Sequence, residues 1–152
     1  MYHSGEKWVI NMFIGQYHHN LDDKGRLTIP SKIRYELKDN FIVTRGLDGC
    51  LFIYPNSTWQ NIMSKYENLP NTKDTRNFMR FFLSSASITN VDKQGRINIP
   101  EILLNYADIT KECVIIGVGD RVEIWSLNHW NNFIEENENN LSKIADNIFS
   151  NI

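Results

Sequence analysis

The strongest constraint on this sequence is an internal repeat. Residues 21–30 match residues 91–100 at an offset of 70, and the acid, glycine, arginine and proline of a D-x-x-G-R-x-x-I-P pattern recur in register. The match resumes downstream at an offset of 71, where it pairs Val43 with Val114 and Trp59 with Trp130. Self-similarity at a fixed spacing is the signature of a duplicated structural unit. The chain is therefore predicted to contain two copies of one small unit.

Each copy is predicted to contain a lead-in strand, a tight turn, a second strand, a short helix and two further strands. The lead-in and second strands are 13–21 and 27–29 in the first copy, and 87–91 and 97–99 in the second. The turns are placed at Gly25 and Gly95, because glycine adopts positive φ without strain, and we expect each turn to form a hairpin. The two further strands are 41–44 and 51–54, and 114–116 and 122–125.

The short helices and the segments outside the repeat complete the predicted organisation. Pro30 and Pro100 suit a first helical turn, followed by buried positions at Ile33 and Leu37, and at Leu103 and Ala107. We divide the chain into an N-terminal extension (1–11), a first unit (12–56), connecting helices (57–83), a second unit (84–127) and a C-terminal helix with an acidic, Asn-rich tail (128–152).

The connecting segment carries two further predictions. Ser57 is predicted to cap the first connecting helix. Phe78, Phe81 and Phe82 form an apolar stripe that we expect to pack the two copies together. The expected fold class is mixed α+β and mainly β.

Composition narrows the classes of protein that fit. Cys50 and Cys113 lie outside any C-x-x-C or Cys/His cluster, so we expect buried reduced thiols rather than zinc or disulfides. No apolar run reaches the roughly 18 residues of a membrane span, and no secretory signal is recognisable. We expect a cytoplasmic protein with no membrane segment, metal, cofactor or evident small-molecule ligand.

The charge distribution limits how the chain could approach a polyanion. The net charge is −2, but residues 128–152 hold one lysine against four acids and account for −3, which leaves about +1 for the body. Binding of nucleic acid requires a positive surface. Any such surface must therefore be a local patch, multiplied by oligomerisation.

Several segments resemble the MraZ family. They are the motifs within 21–30 and 91–100, the stretch 44–51 with Tyr54 and Pro55, and the segment 80–84. The paired acid and arginine, Asp22 with Arg26 and Asp92 with Arg96, are the most specific part. The resemblance extends from Met12 to about Phe133.

The resemblance implies a fold and a function. Members of the family have two tandem AbrB-like (SpoVT-like) swapped-hairpin units, which implies a pseudo-twofold, β-barrel-like core with peripheral helices. They form closed homo-oligomeric rings, for which we expect an octamer or larger, and bind short direct repeats in double-stranded DNA ahead of the division and cell-wall gene cluster. The chain is therefore expected to be a nucleoid-associated transcriptional regulator, usually a repressor in this family, and not an enzyme.

The chemistry of the first motif is compatible with that role. A two-stranded ribbon fits the major groove, where Arg26 could bond a guanine edge bidentately and Lys24 could neutralise a phosphate. Asp22 is expected to accept hydrogen bonds from turn amides or to orient the arginine, without touching DNA. Gly25 is expected to shape the turn. Alternatively, the turn only shapes a hairpin and its ion pair is incidental.

The second motif offers a similar but unequal set. Lys93 and Arg96 are the DNA-binding candidates, and Asp92 and Gly95 the turn-supporting residues. Gln94 stands where the first copy has Lys24, so equal binding by the two turns is not assumed. Arg45 has no basic counterpart in the second copy and is interpreted as structural.

Two other functions are considered. An enzyme would need convergent groups, and the best set is His18 and His19 with Asp22 and Asp23. Neighbouring residues on a strand point to opposite faces, and the second copy lacks the histidines, so catalysis is disfavoured. A ring-forming scaffold without base readout is the stronger alternative, because the turns could mediate subunit contacts. A salt-dependent shift of duplex DNA distinguishes the two.

Overall fold

A computed structural model describes residues 12–150 of the chain, so the extension predicted at 1–11 lies outside the described residues. The elements of the first copy are β1 (Gln16–Asn20), β2 (Arg26–Thr28), α1 (Ser31–Leu37), β3 (Phe41–Arg45) and β4 (Leu51–Pro55). Two helices follow, α2 (Asn56–Tyr66) and α3 (Lys73–Ser84). The second copy comprises β5 (Ser87–Thr89), β6 (Arg96–Asn98), α4 (Glu101–Tyr106), β7 (Glu112–Gly117) and β8 (Val122–Ser126). The chain continues with α5 (Leu127–Asn137), a 3₁₀ turn (Glu138–Asn140) and α6 (Leu141–Phe149).

The strands of the two copies interleave in shared sheets. A six-stranded antiparallel sheet has the order β1-β7-β8-β4-β3-β5, and β2 pairs with β6 in a separate two-stranded ribbon. In the large sheet, β1 corresponds to β5, β3 to β7, and β4 to β8. Replacing each strand by its counterpart gives the same strand order, read from the opposite edge of the sheet. The duplication in sequence is therefore a pseudo-twofold arrangement in the strand order.

Two predictions about strand pairing are wrong. The turns at Gly25 and Gly95 do not form local hairpins, because β1 pairs with β7, β5 with β3, and β2 with β6. A three-residue strand is too short to form a stable hairpin by itself, whereas pairing across the copies places both short strands over one core. The core is also not a closed barrel, because the large sheet ends at β1 and β5 and these two edges do not pair.

The ribbon and the short helices cover one face of the large sheet. Leu27 and Ile97 from the ribbon belong to the same buried cluster as Val43, Ile53 and Ile124 from the sheet. The predicted buried positions of α1 and α4 are confirmed, since all four lie in this cluster (Ile33, Leu37, Leu103 and Ala107). The mixed α+β fold class is confirmed, and the strands are antiparallel. Among the described residues, helical residues outnumber strand residues, so the fold is not mainly β by content.

The other face of the sheet is covered by aromatic side chains of the longer helices. Phe82 stacks on Trp59 and on Phe78, with ring centroids 5.3 and 5.2 Å apart, in a cluster that also contains Trp125 of the second copy. Phe81 was expected in this stripe, but it is 64% exposed, because its position on α3 turns it away from the sheet. The predicted cap at Ser57 is also wrong: the N-cap is Pro55, two residues earlier, and α2 begins at Asn56.

The remaining features concern the thiols and the helices. Cys50 and Cys113 are free and buried, as predicted, and burial raises the pKa of Cys113 to about 11 and that of Cys50 further. Helical structure continues through the acidic tail as far as Phe149. Among the described residues, no helix is both long enough and apolar enough to cross a membrane.

Candidate nucleic-acid interface

Asp22 closes the first motif loop, residues 22–26. Its Oδ1 accepts hydrogen bonds from the amides of Lys24 and Arg26, each at 2.9 Å, and its Oδ2 accepts from Nε of Arg26 at 2.7 Å. The backbone closes the same loop, since the amide of Gly25 donates to the carbonyl of Asp22 at 3.1 Å. Gly25 has a φ of 76°, in the left-handed region that favours glycine. One carboxylate thus orders the turn and orients the arginine.

The second motif loop, residues 92–96, has the same geometry. Oδ1 of Asp92 accepts from the amides of Gln94 and Arg96 at 2.9 Å, and Oδ2 accepts from Nε of Arg96 at 2.9 Å. Gly95 has a φ of 78°. The recurrence in two sequence contexts shows that the D-x-x-G-R pattern itself determines the loop conformation.

One contact distinguishes the two loops. Nη2 of Arg96 donates to Oε1 of Gln94 at 3.2 Å. The corresponding residue of the first loop is Lys24, which has no acceptor. Within residues 12–150, the Arg26 side chain makes one hydrogen-bonded ion pair, from its Nε to Asp22. Its terminal nitrogens remain available to a ligand.

The loops keep both carboxylates ionised. The pKa of Asp22 is lowered, chiefly by the hydrogen bond from the backbone amide of Arg26 and further by the Arg26 side chain. The pKa of Asp92 is lowered in the same way by Arg96. Partial desolvation opposes both shifts without reversing them. Each arginine is consequently held by a full negative charge at neutral pH.

The ribbon brings the two predicted arginines onto one surface. Arg26 lies opposite Asn98, Leu27 opposite Ile97, and Thr28 opposite Arg96. Because side chains alternate along a strand, the central pair points into the core, and the arginines share the outer face as diagonal neighbours. Both arginines are half-buried, and each is the first residue of its strand, so they lie towards opposite ends of the ribbon. Lys24 and Lys93 are exposed in the loops beyond these ends.

The two loops are also tied to each other across the ribbon. The amide of Ile29 donates to the carbonyl of Gly95 at 2.9 Å, and the amide of Ile99 donates to the carbonyl of Gly25 at 3.1 Å. The sequence predicted two separate hairpin turns, one in each copy. The structure instead has one composite surface, in which each loop is attached to the strand that follows the other.

Arg34 was missed by the sequence reasoning. It lies on α1, and its guanidinium contacts Gly95 of the second loop. The repeat itself contained a signal, because the offset of 70 aligns Arg34 with Leu104, so that a cation replaces an apolar residue. Arg45, in contrast, donates from Nη1 to the carbonyl of Phe81 at 3.3 Å and lies over the rings of Phe81 and Tyr106, which confirms its structural role.

Two of the residues considered for catalysis make contacts with other side chains instead of with one another. Asp22 is paired with Arg26, and Nε2 of His18 lies 2.8 Å from the side-chain Nε2 of Gln16. Between residues 12 and 150, no three His, Cys, Asp or Glu side chains are grouped so that they could hold a metal ion.

Replacing Asp22 by asparagine tests the loop geometry. Asparagine can still accept from the turn amides but loses the charge that holds Arg26, so the thermal midpoint should fall slightly and DNA binding should weaken moderately. The lowered pKa means that the carboxylate stabilises the fold above the ordinary aspartate value of 3.8, and that this contribution is lost as the pH falls through the folded-state pKa. Thermal melts should therefore show the difference from wild type at neutral pH and a smaller one below pH 3.8.

Asp92→Asn should behave alike, and Asp23→Asn is the matched control, since this exposed neighbour carries the same charge but has no hydrogen bond within residues 12–150. The role assigned to Asp22 would be contradicted if Asp23→Asn lowered the thermal midpoint equally. It would also be contradicted if the difference in midpoint between Asp22→Asn and wild type did not change with pH.

Comparison with known families agrees with this geometry. The family described as "MraZ protein, putative antitoxin-like" matches the chain twice, at residues 12–81 and 82–152. Each match contains one motif loop, and together the two matches cover all the described residues, 12–150. The chain therefore belongs to the MraZ family.

Proposed function

We propose that this protein is a sequence-specific, DNA-binding transcriptional regulator that inserts the β2–β6 ribbon into the major groove. Membership in the MraZ family supports a regulatory, DNA-binding role. The interleaved strand pairing supports an assignment of the two copies to the swapped-hairpin, AbrB-like architecture. The ribbon has the two-stranded form that the major groove accommodates.

The observation that carries the proposal is the arrangement of the two arginines. Both lie on the outer face of one ribbon, and both are held by an aspartate through Nε. Holding an arginine by Nε fixes the guanidinium plane. Within residues 12–150 the terminal nitrogens of Arg26 make no hydrogen bond, whereas Nη2 of Arg96 gives one of its two N–H groups to Gln94 and keeps the other. Paired terminal nitrogens match O6 and N7 of guanine, which is the commonest specific contact in the major groove.

The remaining motif residues have supporting roles in this proposal. Lys24 and Lys93 are exposed in the loops and would neutralise phosphates beside the groove. Asp22 and Asp92 would not touch DNA, because their oxygens are occupied by loop amides and arginines and because they would repel phosphate. Gly25 and Gly95 permit the backbone conformation that this arrangement needs.

Assembly is part of the proposal because one chain carries little positive charge. The net charge is −2, and the described interface offers only a few cations. We propose that the protein acts as a homo-oligomeric ring, of eight or more subunits as the family resemblance implies, on direct repeats ahead of the division and cell-wall gene cluster. Its role there would be that of a cytoplasmic, nucleoid-associated repressor.

Arg26→Ala and Arg96→Ala test direct base readout. Each should cost about 1 to 3 kcal/mol in specific binding and relax the preference at one base position, because a bidentate contact is lost. Footprinting on the upstream region of the protein's own gene would locate the site, and titration of that duplex would give the affinities. The arginines are on the outer face, so the fold should survive.

Arg76→Ala on α3 is the matched control, since α3 packs on the face of the sheet opposite the ribbon. Unchanged affinity of both ribbon variants, with intact oligomers, would refute base readout by these arginines. An intact wild-type oligomer that never shifts duplex DNA would instead support a ring-forming scaffold.

A further inference from the structure

We propose that Arg34 is an additional phosphate-binding residue, which the first copy supplies to the second motif loop. The inference rests on the proposed DNA-binding function and adds to it a residue outside both motifs. It also makes the two ends of the ribbon unequal: the end at the second loop is the stronger site for the DNA backbone.

The Arg34 guanidinium contacts Gly95 of the second motif loop. The guanidinium occupies the place that a Cβ at Gly95 would take, with Cζ only 2.6 Å from that position. Gly95 is accordingly buried, whereas Gly25 in the first loop is only half-buried. The nearest atoms to a Cβ at Gly25 are 3.7 to 3.9 Å away and belong to Asn98, Ile99 and Leu104. The positive φ of Gly95 favours glycine, and a Cβ there would displace the Arg34 guanidinium from the loop.

Helix α1 holds Arg34 in place, while the charge of the Arg34 guanidinium stays unpaired within residues 12–150. Ile33 and Leu37 anchor the helix in the core, and the amide of Arg34 donates to the carbonyl of Pro30 at 2.9 Å. Within residues 12–150, the guanidinium has neither a hydrogen bond nor an ion pair. The side chain is half-buried, so it is positioned without being neutralised.

The two ends of the ribbon differ in net charge. The first loop holds two aspartates, one lysine and one arginine, so its net charge is zero. The second holds one aspartate, one lysine and one arginine, a net charge of +1, and Arg34 raises this to +2. The counterparts of Ser31 and Arg34 at the first-loop end are Glu101 and Leu104. Lys111 lines the same cavity and offsets Glu101, so the net charge of this end stays at zero.

Arg34 would supply the second loop with a cation in addition to Lys93, although Gln94 stands where the first loop has Lys24. Gln94 accepts from Arg96 and so helps to position the base-reading arginine. Arg34 then provides a cation beside the same loop from another element. An arginine fork is well suited to phosphate, since it can donate two parallel hydrogen bonds.

The test is the salt dependence of binding to a labelled mixed-sequence DNA duplex, measured with the full chain at several KCl concentrations. Arg34→Leu installs the residue found at the equivalent position, Leu104, and should reduce the slope of log K against log salt by about 0.9 for each chain in contact with DNA. Arg34→Lys should retain most of the slope, because it keeps the charge. Arg76→Leu on the opposite face is the matched control for net charge.

Each outcome decides a different point. A reduced slope for Arg34→Leu alone, with thermal stability kept and with rescue by lysine, supports the proposal. A slope equal to that of wild type overturns it, and so does an equal reduction in Arg76→Leu, which would reflect net charge only. If wild type binds and Arg26→Ala weakens specific binding while Arg34→Leu changes nothing, the inference fails and the proposed function stands. If wild type does not bind duplex DNA at all, both fail.

Discussion

Leu27→Ala is expected to lower the free energy of unfolding by about 2 to 5 kcal/mol, and Ile97→Ala by a similar amount. The two side chains lie opposite each other at the centre of the ribbon and are 0% and 1% exposed. They are the inward side chains of two three-residue strands, so they attach the ribbon to the core. Truncating either leaves a cavity under the surface that carries the arginines.

The measurement is urea or thermal denaturation, followed by DNA titration at a temperature where the variant remains folded. Affinity should fall as well, because the arginines lose a fixed platform. Thr28→Ala, on the outward face of the same strand, is the stability control and should stay within about 0.5 kcal/mol of wild type. Losses of similar size at Leu27 and Thr28 would mean that the ribbon does not pack as described.

The parts of the fold that sequence could predict are those encoded locally. The D-x-x-G-R pattern contains every group that closes the loop: a carboxylate, the amides it binds, and a glycine for the left-handed residue. The helices α1 and α4 were predictable for the same reason, since a proline and two apolar positions suffice to orient each of them.

The exchange of strands between copies was not predictable from local patterns. A strand of three residues shows only one inward side chain, and nothing in Leu27 distinguishes pairing with β1 from pairing with β6. Hydrophobic alternation specifies which face is buried but not which strand is the partner. The candidate site was thus predicted residue by residue, whereas its composite surface required the tertiary structure.

The environments of Phe81 and Arg34 also could not be predicted from local sequence patterns. Phe81 has the spacing of a buried helical residue, yet it lies outside the cluster and supports Arg45 instead. Arg34 looks like an ordinary surface residue of α1 until the fold places it against Gly95. In both cases the partner is distant in sequence, so periodicity carried no information about it.

Spacing between operator repeats should control affinity strongly. The interface of one chain has few cations, so a single subunit should bind weakly and with a shallow dependence on salt. In the proposed ring, neighbouring ribbons face one rim, and a second contact becomes intramolecular. Linked sites of this kind can gain a factor of about 100 to 10,000 in overall affinity, but only if the geometry permits simultaneous contact.

The geometric condition is that successive repeats present their major grooves to the same rim, which requires a spacing near one helical period, about 10 base pairs. Inserting about five base pairs between repeats should rotate the next groove away and remove most of the gain, whereas inserting about ten should restore the facing. Titrations of the purified oligomer with the two insertion duplexes, the unmodified array and a single repeat would measure this. If both insertions bind alike, or if one repeat binds as tightly as the array, the ring does not act through several ribbons at once.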